Sequence, residues 1–259
     1  MRAKKSLGQN FLNSSSVARD IVTAGSLTEG ETVVEIGPGK GFLTRELLKT
    51  GAHVVCVEKD DRMIPLLTET FGVELGNGQL EIIHGDIVEL IEKNTLKIPS
   101  AYKVIANIPY YITGFILRAF LERAYKPSSM ILMVQKEVAD RILARDKKES
   151  ILSLSVKAYG VPRIVKRVPA RYFTPAPNVD SAVIAIEHIN GSAFKSTLHE
   201  KRFFEVIKTA FAHKRKQLGG NLKDLYGENT EATLKKYSIN PKSRSEDVSI
   251  PTWLALSGE

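Results

Sequence analysis

The feature that most constrains the fold is a regular alternation of short apolar runs with helical patterns in this 259-residue chain. Five runs have the length and β-branched content of buried strands, and turn signals separate them from the helices. The strands are expected at 32–36, 53–57, 80–84, 103–106 and 130–134, and the helices at 17–24, 43–48, 62–70, 113–125 and 135–143. Strands that alternate with helices predict a parallel sheet with right-handed crossovers, so the fold class is α/β.

The chain changes character near the turn dipeptide Asn190-Gly191. A β-branched run at 181–186 predicts one more strand before this point, and the patterns after it indicate helices at 201–212 and 231–237. We therefore predict two domains, a sheet-containing domain over 1–190 and a small all-helical domain over 191–259. A chain of this length can bury a full core.

The composition narrows the possible partners and cofactors. A net charge of +8 and a pI of about 9.4 favour an acidic partner, for which nucleic acid is the first candidate. The single cysteine, Cys56, excludes an internal disulfide and lies in an apolar run where a buried strand residue is expected. The five histidines lack the spacing of metal ligands, and no apolar run approaches the roughly 18 residues of a membrane span. We expect a cytoplasmic protein that needs no metal and no membrane.

A glycine-rich loop follows the first strand, in the segment Val-Val-Glu-Ile-Gly-Pro-Gly-Lys-Gly at 33–41. Glycines let the backbone approach a ligand closely. The spacing G-x-G-x-G lacks the third glycine of the dinucleotide fingerprint, because Phe42 stands there, and it fits a nucleoside ligand without a pyrophosphate. Taken alone, the loop is equally consistent with a tight strand-to-helix turn.

Four strand ends carry a glycine or a polar residue, and in a parallel sheet these ends meet at the edge where ligands bind. A carboxylate at Glu58 can accept hydrogen bonds from ribose hydroxyls, and Asp86 can accept one from an adenine amino group. Alone, the first could be a surface carboxylate and the second a helix cap. In register they predict S-adenosylmethionine, which has a ribose and an adenine but no phosphate. The residues assigned to this cofactor are Gly37, Gly39, Glu58, Lys59, Asp86, Ile87 and Asn107.

The segment Asn107-Ile108-Pro109-Tyr110 follows the fourth strand and predicts methylation of an amino nitrogen. The lone pair of an adenine amino nitrogen is delocalised into the ring, so the nitrogen is a poor nucleophile. The Asn107 side-chain oxygen and the Ile108 carbonyl can each accept one of its N–H bonds and favour a pyramidal nitrogen. Pro109 fixes the backbone of these acceptors, and Tyr110 offers a ring on which the base can stack. The alternative is a proline turn with a buried tyrosine.

Four blocks in order resemble the ribosomal RNA adenine dimethylase family, at 5–12, 35–39, 107–112 and 173–183, so the resemblance covers nearly the whole chain. It implies a Rossmann-like class I methyltransferase sheet with a small C-terminal all-helical domain. It also implies that Asn10 and Leu12 line the cofactor site and that Phe173 stacks on the flipped target base. Tyr111 stands where the family commonly has Asn.

The resemblance implies a specific reaction and a specific RNA. The reaction is S-adenosylmethionine-dependent dimethylation of the N6 amino groups of two adjacent adenines, with S-adenosylhomocysteine as the product. The substrate is the 3′-terminal hairpin of small-subunit (16S) rRNA in a pre-ribosomal particle, late in ribosome biogenesis. The enzyme is expected to act as a monomer.

Basic residues indicate where RNA is bound. Every charged residue between 151 and 179 is a lysine or an arginine, and the run lies next to the aromatic Phe173. A second basic cluster follows residue 213, and Lys4-Lys5 form a third. Each cluster alone could be a solvated face, but three on a chain of +8 favour RNA, and the target base must leave its stack to react. The assigned RNA-binding residues are Lys157, Arg163, Lys166, Arg167, Arg171, Lys214, Arg215 and Lys216.

Three alternatives use the same fold. A large-subunit rRNA adenine methylase shares the chemistry, but its tail lacks the Thr209-Ala210-Phe211 pattern that precedes the basic triplet here. A non-catalytic RNA-binding assembly factor predicts a degraded Asn107 or glycine loop, and both are intact. A small-molecule methyltransferase would not need the basic run.

Overall fold

Nine strands build the sheets of the computed structural model, which describes residues 8–258. They are β1 (Phe11–Leu12), β2 (Thr32–Ile36), β3 (His53–Glu58), β4 (Leu80–His84), β5 (Lys103–Asn107), β6 (Met130–Gln135), β7 (Val161–Val168), β8 (Phe173–Thr174) and β9 (Ser181–Glu187). Seven of them form one sheet in the order β4-β3-β2-β5-β6-β9-β7, and β1 pairs with β8 in a separate two-stranded sheet. The α/β class is therefore confirmed, as are the six strands that the sequence predicts.

The strands differ in direction along the sheet. Neighbours from β4 to β6 are parallel, whereas β9 runs antiparallel to both β6 and β7. The central parallel strands are buried on both faces, as expected for strands covered by helices on either side. The antiparallel end of the sheet was not expected from the sequence, because the residues of β7 were interpreted only as a run of basic charge.

Twelve helices connect and extend the strands. They are α1 (Ser15–Gly25), α2 (Phe42–Leu48), α3 (Met63–Thr70), α4 (Gly72–Gly76), α5 (Ile87–Glu92), α6 (Thr113–Leu121), α7 (Lys136–Leu143), α8 (Ile151–Lys157), α9 (Thr197–Ala210), α10 (Leu218–Tyr226), α11 (Thr230–Lys236) and α12 (Ile250–Leu256). The side chain of Ser14 accepts the Val17 N–H and caps α1, as the serines before this helix predict. Five helices, α4, α5, α8, α10 and α12, were not predicted from the sequence.

The described chain divides into two compact units. The first contains residues up to Ala139 together with Val161–Ile189, and the second contains Asp140–Gly160 and the residues from Asn190 onward. One of these junctions lies at Asn190, and 140–160 belongs to the second unit. Tyr159 explains this, because its buried ring packs 5.3 Å from Phe194 and 6.2 Å from Phe204 between ring centroids. The division into a catalytic and an RNA-contacting domain stays a prediction.

Candidate active site

The carboxyl ends of β2, β3, β4 and β5 border a cavity in the first unit. It encloses about 980 Å³ of space, counting the part that is open to solvent. All nine residues assigned to the cofactor from the sequence line it: Asn10, Leu12, Gly37, Gly39, Glu58, Lys59, Asp86, Ile87 and Asn107. Residues from five separate segments of the chain therefore meet in one cavity, while their individual roles stay predictions.

The glycine loop leaves room on the cavity side. A Cβ added to Gly37 would meet no heavy atom within 4 Å, so a ligand can approach the backbone there. Gly39 takes a left-handed conformation with φ of 57°, and a Cβ on it would lie 2.9 Å from the Phe11 ring. Its N–H donates to Glu58 Oε2 over 3.0 Å, which ties the loop to the end of the neighbouring strand.

Glu58 is 5% exposed, and both of its carboxylate oxygens accept hydrogen bonds from backbone N–H groups. Oε2 accepts the Gly39 N–H, and Oε1 accepts the Asp60 N–H over 2.7 Å. Burial raises the pKa of this carboxyl. A carboxylate has about four acceptor positions, more than these backbone groups use, and the ribose hydroxyls that the sequence assigns to it stay a prediction.

Asp86 has two partners of its own. Its Oδ1 accepts the Val88 N–H over 2.9 Å and caps α5, and its Oδ2 lies 2.6 Å from Lys59 Nζ. The hydrogen bond from the ammonium to Asp86 raises the pKa of Lys59. The helix-cap alternative for Asp86 is therefore correct, and binding of an adenine amino group by the same residue stays a prediction.

The Asn107 side chain is oriented by the N-terminal segment. Asn107 is the last residue of β5, and its Nδ2 donates to the backbone oxygen of Asn10 over 3.2 Å. The amide nitrogen is thereby used within the protein, and Oδ1 is left as an acceptor at the cavity. Ile108 is 1% exposed, and Pro109, with φ of −58°, precedes a short 3₁₀ turn. The geometry agrees with a pair of acceptors held rigidly after the strand.

Tyr110 is fixed more firmly than the sequence indicates. Its hydroxyl shares a 2.6 Å hydrogen bond with Ser181 Oγ at the start of β9, and burial raises the pKa of the phenol. Its carbonyl accepts the Thr113 hydroxyl over 3.0 Å. The ring lines the cavity, and its stacking on a base stays a prediction.

Phe173 does not line the cavity. It pairs with Leu12 through β1 and β8, is 3% exposed, and packs in the hydrophobic core of the first unit. In this arrangement its ring faces no open space, because it is buried among core residues. The expected stacking on a flipped base therefore requires the ring to move, and it stays a prediction.

Glu35, Lys40 and Tyr111 are among the lining residues that the assignment from sequence did not include. Glu35 is 1% exposed in β2, where it accepts the Thr44 hydroxyl over 2.6 Å and the Cys56 thiol over 3.3 Å. Its burial raises the pKa of the carboxyl to about 7. A charged residue inside an otherwise apolar strand was the signal that could have identified it. Cys56 is a buried strand residue, as expected.

In the folded chain, acidic residues pair with three cations of the basic run between 151 and 179. Arg163 forms two hydrogen bonds of 2.9 and 2.7 Å with Glu187, and Lys166 pairs with Asp20. In the second unit, Lys157 lies 2.6 Å from a carboxylate oxygen of Glu149. The acids come from outside the run, so the sequence window could not reveal them, and the inference of an uncompensated patch is wrong.

Two cations of that run have other surroundings. The Arg171 guanidinium lies 5.2 Å from the centre of the Tyr172 ring, and Arg167 is exposed on β7. The basic triplet Lys214–Lys216 is exposed throughout, and none of the three forms an ion pair with another described residue. The third cluster, Lys4-Lys5, lies outside the described residues. The RNA contacts themselves stay predictions.

Neither a metal site nor a membrane-spanning helix is found among the residues that the structure describes. Within residues 8–258, no three His, Cys, Asp or Glu side chains are grouped so that they could hold a metal ion. In the same part of the chain, no helix has both the length and the apolar character that crossing a membrane requires.

Solved structures similar to the chain share its fold. The 23S rRNA methyltransferase ErmE superposes with a TM-score of 0.74 at 25% identity, over 96% of this chain and 98% of that one. A dimethyladenosine transferase from Plasmodium falciparum superposes with a TM-score of 0.77 at 24% identity, over 95% of each chain. The Rossmann-like class I methyltransferase fold is thereby confirmed.

Sequence comparisons specify the family. Ribosomal RNA small subunit methyltransferase A of Dehalococcoides mccartyi is 40% identical over 259 residues, which cover 99% of this chain and 88% of that protein. The protein of the same name from Clostridium perfringens is 39% identical over 260 residues, covering 99% and 90%. A family model described as ribosomal RNA adenine dimethylase matches residues 1–259. The chain therefore belongs to the ribosomal RNA adenine dimethylase family.

Proposed function

We propose that this chain transfers methyl groups from S-adenosylmethionine to the N6 amino groups of two adjacent adenines in the 3′-terminal hairpin of small-subunit rRNA. The proposal rests on the side-chain amide of Asn107. Its nitrogen donates a hydrogen bond to the Asn10 backbone oxygen, and its oxygen stays available as an acceptor at the cavity. The enzyme works in the cytoplasm as a monomer on a pre-ribosomal particle.

The cavity suits the cofactor. S-adenosylmethionine supplies an electrophilic methyl group when it is bound. The open side of Gly37 fits a close approach of the ligand to the backbone, and the remaining acceptor positions of Glu58 fit a ribose diol.

The acceptors at the end of β5 explain how an adenine nitrogen becomes reactive. Asn107 Oδ1 and the Ile108 carbonyl each accept one N–H of the amino group, so the lone pair leaves conjugation with the ring and points at the methyl carbon. With S-adenosylmethionine bound, the N–C bond would form as the C–S bond breaks, S-adenosylhomocysteine would leave, and the proton lost by the nitrogen would pass to solvent. Positioning and electrostatics supply most of the catalysis in such an arrangement.

The choice between the two ribosomal subunits is supported by relatedness. The relatives at about 40% identity are named for the small subunit, whereas the 23S rRNA methyltransferase ErmE is 25% identical. The Thr209-Ala210-Phe211 pattern before the basic triplet supports the same choice. The large-subunit alternative is therefore not favoured.

The proposal is tested by incubating undermethylated small subunits with methyl-labelled S-adenosylmethionine and mapping the modified bases by mass spectrometry. We expect label on the N6 atoms of two adjacent adenines near the 3′ end. Asn107→Ala should lower kcat by about 100- to 1000-fold, as removal of one well-placed hydrogen-bonding group does.

Two results would contradict the proposal. Labelling of large-subunit RNA alone would favour the other subunit. Methyl transfer at the normal rate by Asn107→Ala would rule out the proposed acceptor, provided that circular dichroism shows the variant to be folded.

A further inference from the structure

The mouth of the cavity combines an exposed aromatic ring with positive charge. Of the described residues that line the cavity, three are exposed, namely Lys40, Lys59 and Tyr111, and the others are buried or half-buried. An exposed ring beside positive charge is the combination by which proteins hold single-stranded nucleic acid, since the ring stacks on a base and the cation attracts the backbone.

Tyr111 is the exposed aromatic residue of this wall, with 62% of its surface accessible. The neighbouring Tyr110 is held by its hydrogen bond to Ser181, and Phe173 is buried in the core. The backbone of Gly8 lies against the Tyr111 ring, because a Cβ added there would be 3.2 Å from Cδ1. The ring is thus supported by the protein at one side and open to solvent elsewhere.

Lys40 supplies positive charge at the same mouth. Its ammonium lies 5.2 Å from the centre of the Phe11 ring, and it forms no ion pair with a described carboxylate. Lys59, in contrast, is paired with Asp86. An RNA phosphate at the mouth would therefore find an uncompensated cation in Lys40.

We propose that Tyr111 stacks on the adenine adjacent to the target while the target base occupies the cavity. The inference rests on the proposed function, in which two neighbouring adenines are modified, so that one lies at the mouth while the other lies inside. The target nitrogen has to reach Asn107, which is half-buried at the end of β5. Tyr111, in the turn that follows, is exposed to solvent. The residue positions the RNA and does not bind the cofactor.

The test is a series of substitutions assayed on undermethylated small subunits. Tyr111→Ala and Tyr111→Leu should raise the KM for subunits about tenfold or more, because stacking on one base is lost. Tyr111→Phe and Tyr111→Trp should stay within about twofold of the wild-type protein, since a ring is kept. The Kd for S-adenosylmethionine, measured by calorimetry, should be unchanged in all four variants.

Tyr125→Ala is the matched control, because Tyr125 is 68% exposed and does not line the cavity. Its KM should equal that of the wild-type protein. A wild-type KM in Tyr111→Leu, or a loss of cofactor affinity parallel to the loss of RNA affinity, overturns the inference and leaves the proposed function standing. Failure of the wild-type protein to methylate small subunits would overturn both.

Discussion

At the scale of single residues, folding changes the pH at which the buried carboxyl of Glu35 ionises. Burial raises its pKa from 4.5 to about 7 despite the hydrogen bonds from Thr44 and Cys56. Between these two pH values the folded chain holds a proton that the unfolded chain has lost. The free energy of unfolding therefore decreases as pH rises through this interval.

Glu35→Gln should remove this pH dependence, because the amide keeps an acceptor for Thr44 and cannot ionise. Between pH 5 and pH 8 the wild-type protein should lose about 2 kcal/mol more unfolding free energy than the variant, from about 1.4 kcal/mol per pKa unit. Urea denaturation of both proteins at the two pH values measures the difference. Parallel pH profiles would show that Glu35 is ionised in the folded state.

The sequence located the residues of the site better than it described their surroundings. Gly37, Glu58, Asp86 and Asn107 were found because each follows a strand, and a parallel sheet brings strand ends together. The partners of Glu58 are backbone N–H groups in loops, and no side-chain pattern encodes these.

At the scale of elements, the residue that precedes α2 is packed closely against an aromatic ring. Gly41 is the N-cap of α2 with φ of 75°, and a Cβ on it would lie 2.4 Å from the buried ring of Phe71. Gly41→Ala should therefore cost about 2–4 kcal/mol, from left-handed strain and overpacking together.

Gly30→Ala separates these two costs. Gly30 has a similar φ of 79° but no heavy atom within 4 Å of the added Cβ. Its substitution should cost about 1–2 kcal/mol from backbone strain alone. Urea midpoints of both variants measure the difference, and equal losses would mean that Phe71 moves aside freely.

Element directions explain why the sheet was only partly predicted. The five parallel strands have an apolar run followed by a helix, and that pattern fixes their direction. The end strand β7 carries Arg163, Lys166 and Arg167 with half-buried residues between them, so its charge concealed its alternation. The direction of β9 in the sheet depends on the strands with which it pairs, and the composition of β9 does not indicate those strands.

At the scale of the whole molecule, fewer cations are available to bind RNA than the net charge of +8 suggests. Arg163, Lys166 and Lys157 are each paired with an acid, whereas the triplet Lys214–Lys216 is exposed and unpaired among the described residues. Counterion release on RNA binding scales with the phosphates that cations neutralise.

Replacement of all three residues of Lys214–Lys216 by Gln should therefore reduce the slope of log Kd against log salt by about 2 to 3. Arg163→Gln is the comparison, and it should change the slope little because Glu187 already neutralises Arg163. Filter binding of small-subunit RNA over a series of KCl concentrations gives both slopes. A larger effect of Arg163→Gln than of the triple variant would contradict this distribution of contacts.

The pairing of β1 with β8 has a consequence for the order in which the site forms during synthesis. Phe11 and Leu12 line the cavity, and they are held by Thr174 and Phe173, with a further bond from the Asn13 N–H to the Tyr172 oxygen. The ribosome releases residues 11–13 long before it adds residues 172–174. A nascent chain shorter than this lacks the partner that holds one wall of the cavity, so the binding site matures only after about two thirds of the protein has been translated.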